Sequence, residues 1–96
     1  MTYKVLIDTV ALHYVNNLPE KSQRIVKENL KKLGESPYPG TGRGDKEKLV
    51  FKGEILYRMH IGRTFTAFYK IYDKENVVKI FKVMTIDSAH KDYGKL

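Results

Sequence analysis

The chain contains no cysteine, only three prolines and fewer acidic than basic residues. Without cysteine there is no disulfide framework, no thiolate nucleophile and no Cys-based metal site. The three histidines, His13, His60 and His90, lie far apart, and no pair has metal-ligand spacing. No metal and no cofactor are therefore expected. No apolar run approaches the roughly 18–20 residues that a membrane span needs, and the N-terminus lacks the h-region of a signal peptide. These absences lead to the expectation of a soluble, cytoplasmic protein without membrane partners.

What is present is basic charge. Eighteen Lys and Arg against eleven Asp and Glu give a formal net charge of +7. The excess sits mainly from Arg43 onward, where twelve basic residues face seven acidic ones. Such a surplus attracts polyanions or acidic protein partners over long range. It also serves solubility, and charge alone does not separate the two uses. With 96 residues, 42% hydrophobic and 30% charged, the chain has the balance and length of one globular domain, 1–96.

Residues 1–7 alternate Tyr3, Val5 and Ile7 with Lys4 and Leu6, the pattern of a strand. Asp8 or Thr9 can cap a following helix, with Val10, Ala11, Tyr14 and Leu18 as its apolar stripe and His13 on its surface. A second helix begins near Pro19, buries Ile25, Val26, Leu30 and Leu33, and ends at Gly34. Residues 35–47 are rich in Gly and Pro and read as a loop. The loop lacks the Gly-Lys-Ser/Thr ending of a phosphate-binding loop, and Arg43 makes it a basic connector able to touch RNA or a partner. Beyond it the period becomes two. Strands are predicted over 48–51, 55–61, 65–72 and 76–86, joined by turns at 52–53, 62–64 and 73–75. Short connections imply an antiparallel meander. The sum is an α+β fold: an N-terminal strand and a helical hairpin packed on one face of a curved, mainly antiparallel sheet.

The bend at Gly62 sets which side chains share a face. A two-residue turn pairs Ile61 with Thr64 and mixes apolar with polar residues on both faces. A three-residue turn, 62–64, pairs Ile61 with Phe65, Met59 with Ala67 and Tyr57 with Tyr69. It sorts Ile55, Tyr57, Met59, Ile61, Phe65, Ala67, Tyr69 and Ile71 onto a face that can cover the helices. Burial at roughly 25 cal/mol per Å² of apolar surface selects this register. Leu56, Arg58, His60, Thr66, Phe68, Lys70 and Tyr72 then share the second face, with Arg58 beside Phe68 and His60 beside Thr66. Cations interleaved with aromatics suit stacking on unpaired bases and contacts to phosphate. The same residues also suit a half-wet face with Phe68 packed under the C-terminal tail, and the sequence leaves both open.

Residues Lys48-Leu49-Val50-Phe51-Lys52-Gly53 and Tyr57-Arg58-Met59-His60-Ile61-Gly62 resemble the "K-L-x-G … Y-R-x-R-x-G" segment of the RelE/ParE toxin superfamily. Phe65 to Ile71 resembles its next strand. Leu18-Pro19, Ile25 and Leu33 match its helical hairpin, and Pro37 the start of its loop. The resemblance implies a RelE-like fold and the toxin of a toxin–antitoxin module. The activity implied is ribosome-dependent, metal-independent cleavage of mRNA, in which the ribose 2′-hydroxyl attacks the adjacent phosphate. The partners implied are an acidic, RelB-like antitoxin and mRNA on the ribosome.

Carried over by position, Arg58 is implied as phosphate clamp and His60 as general base or acid. Histidine, with a reference pKa near 6.5, is suited to proton transfer at neutral pH. Tyr93 is implied as a stacking residue, and Lys91 or His90 as a cation or second proton carrier. Lys52, Arg63, Phe68 and Lys70 are expected as further RNA contacts. Thr66 stands where the family carries an arginine, which removes a cation from the site; Arg63 or Lys70 are the replacements at hand. Two other outcomes stay open: a ParE-like toxin that binds gyrase without catalysis, and a degenerate member that binds antitoxin or RNA without cutting.

Overall fold

A computed structural model describes residues 2–40 and 46–93, the side chains of residues 92 and 93 excepted. Strand β1 (Lys4–Ile7) leads into helices α1 (Thr9–Asn16) and α2 (Glu20–Lys31), the latter closed by a 3₁₀ turn at Lys32–Gly34. Strands β2 (Lys46–Phe51), β3 (Glu54–Ile61), β4 (Phe65–Tyr72) and β5 (Val77–Thr85) follow, and helix α3 (Ile86–Tyr93) ends the described chain. The five strands form one sheet in the order β1-β5-β4-β3-β2. Only β1 runs parallel to its neighbour, β5. Arg43, read as a basic loop contact, lies outside the described residues.

The helical hairpin forms for local reasons. Asp8 is the N-cap of α1, its carboxylate accepting from the Thr9 amide (3.0 Å). Gln23 donates to the carbonyls of Leu18 (2.8 Å) and Asn16 (3.0 Å), which ties the start of α2 to the end of α1. The inward side of α1 is Ala11 and Val15, an i, i+4 pair. Val10, expected in the buried stripe, sits one position off that line and is 73% exposed. Ile25 is likewise exposed, while Val26, Leu30 and Leu33 are buried as expected. Gly34 ends the 3₁₀ turn, and it also permits close approach: a Cβ there would stand 3.1 Å from the Tyr3 carbonyl oxygen, and the Tyr3 amide donates to the Gly34 carbonyl (2.6 Å).

The β3–β4 hairpin has the three-residue turn. Ile61 faces Phe65, His60 faces Thr66, Met59 faces Ala67, Arg58 faces Phe68 and Tyr57 faces Tyr69. Gly62 takes a φ of 62°, the left-handed region that glycine enters without strain. The face under the helical hairpin holds Met59, Ile61, Ala67 and Tyr69 in the main core, with Tyr57, Phe65 and Ile71 at its margin. Ile55 belongs to the same side by register but lies near the strand's end, and it is exposed.

Three features depart from the sequence reading. Strand β2 starts two residues early, at Lys46, because Lys46 and Glu47 pair with Met59 and Arg58. The β4–β5 ladder is irregular between Phe68 and Tyr69: Phe68 faces Lys82 and Tyr69 faces Ile80, leaving Phe81 as the extra residue. The expected last strand also stops at Thr85, and the residues after it form α3. The Thr85 hydroxyl accepts from the Ser88 amide (3.1 Å), an N-terminal cap, and Asp87 lies in the first turn with His90 and Lys91 in the last.

Candidate functional site

Helix α3 changes the character of the second face. Its Ala89 packs in a small core with Leu49, Phe68 and Met84, and Phe81 lies against them. Phe68 is therefore fully buried, its ring 6.3 Å from that of Phe81. Its expected role as a base-stacking surface is corrected: the ring has no open face, because α3 covers it. Leu56 and Thr66 are buried with it.

Arg58 and His60 do point away from the helical hairpin, as the register requires, but they are not equally open. Arg58 is only 8% exposed. Its guanidinium is ion-paired with Glu47, the residue facing it on β2. The phosphate clamp implied by the resemblance is thus a buried guanidinium that already holds a carboxylate. A side chain that had been read into the loop neutralises it from the neighbouring strand. His60, two residues further toward the turn, is half-buried. Thr66 faces it, only 1% exposed, with its hydroxyl donating to the Met59 carbonyl (3.3 Å). That small, satisfied side chain occupies space that a longer cation would need.

The remaining predicted residues divide between the two ends of this face. At the His60 end, Arg63 is exposed in the turn and borders a hollow of about 340 Å³ with Thr64, Thr85, Ile86 and Asp87. Helix α3 begins here, its Ile86 amide donating to the Thr64 carbonyl (2.8 Å). His90 and Lys91 are exposed on the same helix, and Tyr93 is its last residue. Lys70 and Lys52 lie at the opposite end. Lys70 is four residues from Thr66 along β4, about 13 Å at roughly 3.3 Å per residue, and it bonds Glu54 (3.1 Å). It does not replace the missing arginine near His60. Lys52, in the β2–β3 turn, holds its ammonium 5.3 Å from the Phe51 ring centre.

Sequence reasoning missed three participants in this geometry. Glu47 was hidden by its place next to a Gly-rich loop, although its two-residue offset from Leu49 puts it on the Arg58 side of the sheet. Lys79 and Phe81 were hidden by the bulge in β5, which breaks the period of two. In the β4–β5 turn, Asp73 accepts from the hydroxyls of Tyr3 (2.7 Å) and Tyr38. These bonds hold its carboxyl below the usual carboxylate range and raise both tyrosines. Tyr69, raised by burial, donates to the Pro37 carbonyl (2.7 Å). This cluster anchors the start of the loop and lies outside the candidate site.

The described chain thus has an α+β architecture with a helical hairpin on one face of a mixed five-stranded sheet and a short helix on the other. Solved structures place it more narrowly. RelE in the RelE–RelB complex from Pyrococcus horikoshii superposes over the full length of both chains with a TM-score of 0.72 at 28% identity. The RelBE2 toxin–antitoxin complex from Mycobacterium tuberculosis matches with a TM-score of 0.74 at 22% identity over 88% of this chain and 99% of the other. The isolated Escherichia coli RelE toxin matches with a TM-score of 0.58 at 20% identity, covering 94% and 97%. No family model and no curated protein sequence matches the chain. The chain has the RelE-like toxin fold.

Proposed function

We propose that this chain is the toxin of a toxin–antitoxin pair and that it cleaves mRNA without a cofactor. The observation that carries the reading is the full-length match at 28% identity to the Pyrococcus toxin, itself solved with RelB. The partner is an acidic antitoxin, which suits a chain of net charge +7. On this reading His60 takes the proton from a ribose 2′-hydroxyl as its oxygen attacks the adjacent phosphorus. The P–O5′ bond breaks, leaving a 2′,3′-cyclic phosphate, and the 5′-oxygen takes up a proton. His90 and Lys91 on α3 are the carriers nearest the sequence pattern for that second transfer, and Tyr93 is the residue to stack on the base. Arg63, exposed at the same end, meets the phosphate. Arg58 meets the phosphate by exchanging the Glu47 carboxylate for the substrate anion, and its fork geometry suits such an exchange.

A second reading is a toxin that binds its target without cutting. It is favoured by the internal neutralisation of Arg58 and by Thr66 at the arginine position. Inducing the chain in cells and mapping mRNA 5′ ends by primer extension separates the two. Codon-phased cuts that vanish in His60→Ala, with the fold intact by circular dichroism, are expected. Loss of a general acid–base residue lowers cleavage by about 10²–10⁴-fold. Intact messages beside damaged DNA select the gyrase-binding toxin, and undiminished cutting by His60→Ala removes His60 from the chemistry.

A further inference from the structure

The end of the second face remote from His60 holds a hollow of about 360 Å³, within the range of small-ligand sites. Its walls are Phe51, Tyr72 and Phe81, from three different strands, and Leu56 forms part of the lining. Lys70 and Lys79 stand in it as a directly facing cross-strand pair, a like-charge arrangement that costs stability by itself. Lys70 is partly compensated by Glu54 and leans over the Phe81 ring, 5.9 Å from its centre. Lys79 is exposed and makes no ion pair among the described residues. Lys52 adds a third ammonium at the neighbouring turn.

The bulge in β5 assembles this site. It lets both Phe81 and Lys82 follow the second face, which places Phe81 next to Phe68 while Lys79 still faces Lys70. Two ammonium groups with one carboxylate leave a net positive charge, and the aromatic walls offer stacking surface. Tyr72 is 41% exposed and is the most open of the three rings. An anion that also carries a planar ring relieves the lysine repulsion and uses the aromatic walls at once.

We infer that this hollow is a nucleotide subsite, in which Tyr72 stacks on an unpaired base and Lys79 and Lys70 hold its phosphate. The inference rests on the nuclease reading for its biological ligand: the nucleotide belongs to an RNA strand also engaged at His60. The chemistry alone admits a free mononucleotide. Such a strand runs past the exposed His90 and Lys91 of α3, because α3 covers the middle of the face.

The test is a titration of the ¹⁵N-labelled full chain, followed by amide shifts, with AMP, UMP, inorganic phosphate and a short single-stranded RNA carrying 2′-deoxyriboses. Nucleotides are expected to move the amides of Lys70, Tyr72, Lys79 and Phe81, and Tyr72→Ala or Lys79→Ala to weaken that binding about tenfold. Both side chains are exposed, so the variants keep the fold. RNA that binds much more tightly than AMP identifies a strand; equal affinities identify a free nucleotide. Inorganic phosphate acting as well as AMP, with Tyr72→Ala unchanged, overturns the nucleotide assignment. RNA that moves His60 and leaves Tyr72 and Lys79 still overturns the subsite while sparing the nuclease reading. Nucleotide binding in the hollow with no cleavage in cells does the reverse.

Discussion

Arg58 is held by Glu47 with its guanidinium out of water, whereas the carboxylate side chain is 44% exposed. Removing the acid from a fully buried pair costs about 3–5 kcal/mol; partial exposure of Glu47 screens the loss, so Glu47→Gln is expected to destabilise by about 1–2 kcal/mol. The same substitution takes one carboxylate away from the guanidinium and leaves its positive charge less compensated. Urea unfolding should therefore show a lower midpoint, while RNA affinity at low salt rises. A variant that lost stability without gaining affinity would show that Arg58 has no path to substrate. Much about this residue was readable in advance. A period of two and the length of one turn put Arg58 and His60 on the same side. Its burial was not readable, because burial depends on Glu47 from a strand whose first residues look like loop and on a helix laid over the face.

At the scale of elements, the strands and the hairpin follow from local pattern, and the turn at Gly62 fixes their register. The β5 bulge leaves no local mark, because the alternation on either side of Phe81 is regular and only the phase changes. Helix α3 did leave a signal: Thr85 three residues before Ser88, Asp87 early, His90 and Lys91 late. The apolar run through Val83, Met84 and Ile86 concealed it by continuing the strand pattern. Ala89 is the contact through which α3 docks on Phe68, Leu49 and Met84. Ala89→Asp would bury a carboxylate in that apolar cluster, and its expected cost is about 2–4 kcal/mol or release of the helix. Hydrogen exchange decides between them. Protection lost across residues 86–93, with that of α1 and α2 retained, means that α3 undocks alone and uncovers Phe68. Unchanged protection would mean that α3 is not anchored there.

Across the whole molecule, Asp73 joins parts of the chain that no local pattern connects. Its carboxylate in the β4–β5 turn accepts from Tyr3, ahead of β1, and from Tyr38, after the 3₁₀ turn. The Tyr38 ring meets Tyr57 edge-on at 5.8 Å, and Tyr57 stacks on Tyr69 at 5.6 Å. The two Tyr hydroxyls lower the Asp73 pKa, Tyr38 foremost. A depressed carboxyl contributes stability that is complete above its unfolded value, about 3.9, and is lost as pH falls through the lower folded value. The tyrosines shift the other way, chiefly through the same bond to Asp73. Their contribution is complete below the unfolded value, about 10, and drains away as pH rises beyond it. The melting temperature should thus hold a plateau between these limits and fall on both sides. In Asp73→Asn the carboxylate is gone, so the acid limb should flatten. Tyr3 and Tyr38 should ionise closer to their ordinary value, seen as an earlier rise in tyrosinate absorbance. Tyr69, raised by burial and not by Asp73, should keep its late titration and serves as the internal control. A variant with the parent's acid limb and the parent's tyrosine titration would show that the latch contributes nothing to holding the loop against the sheet.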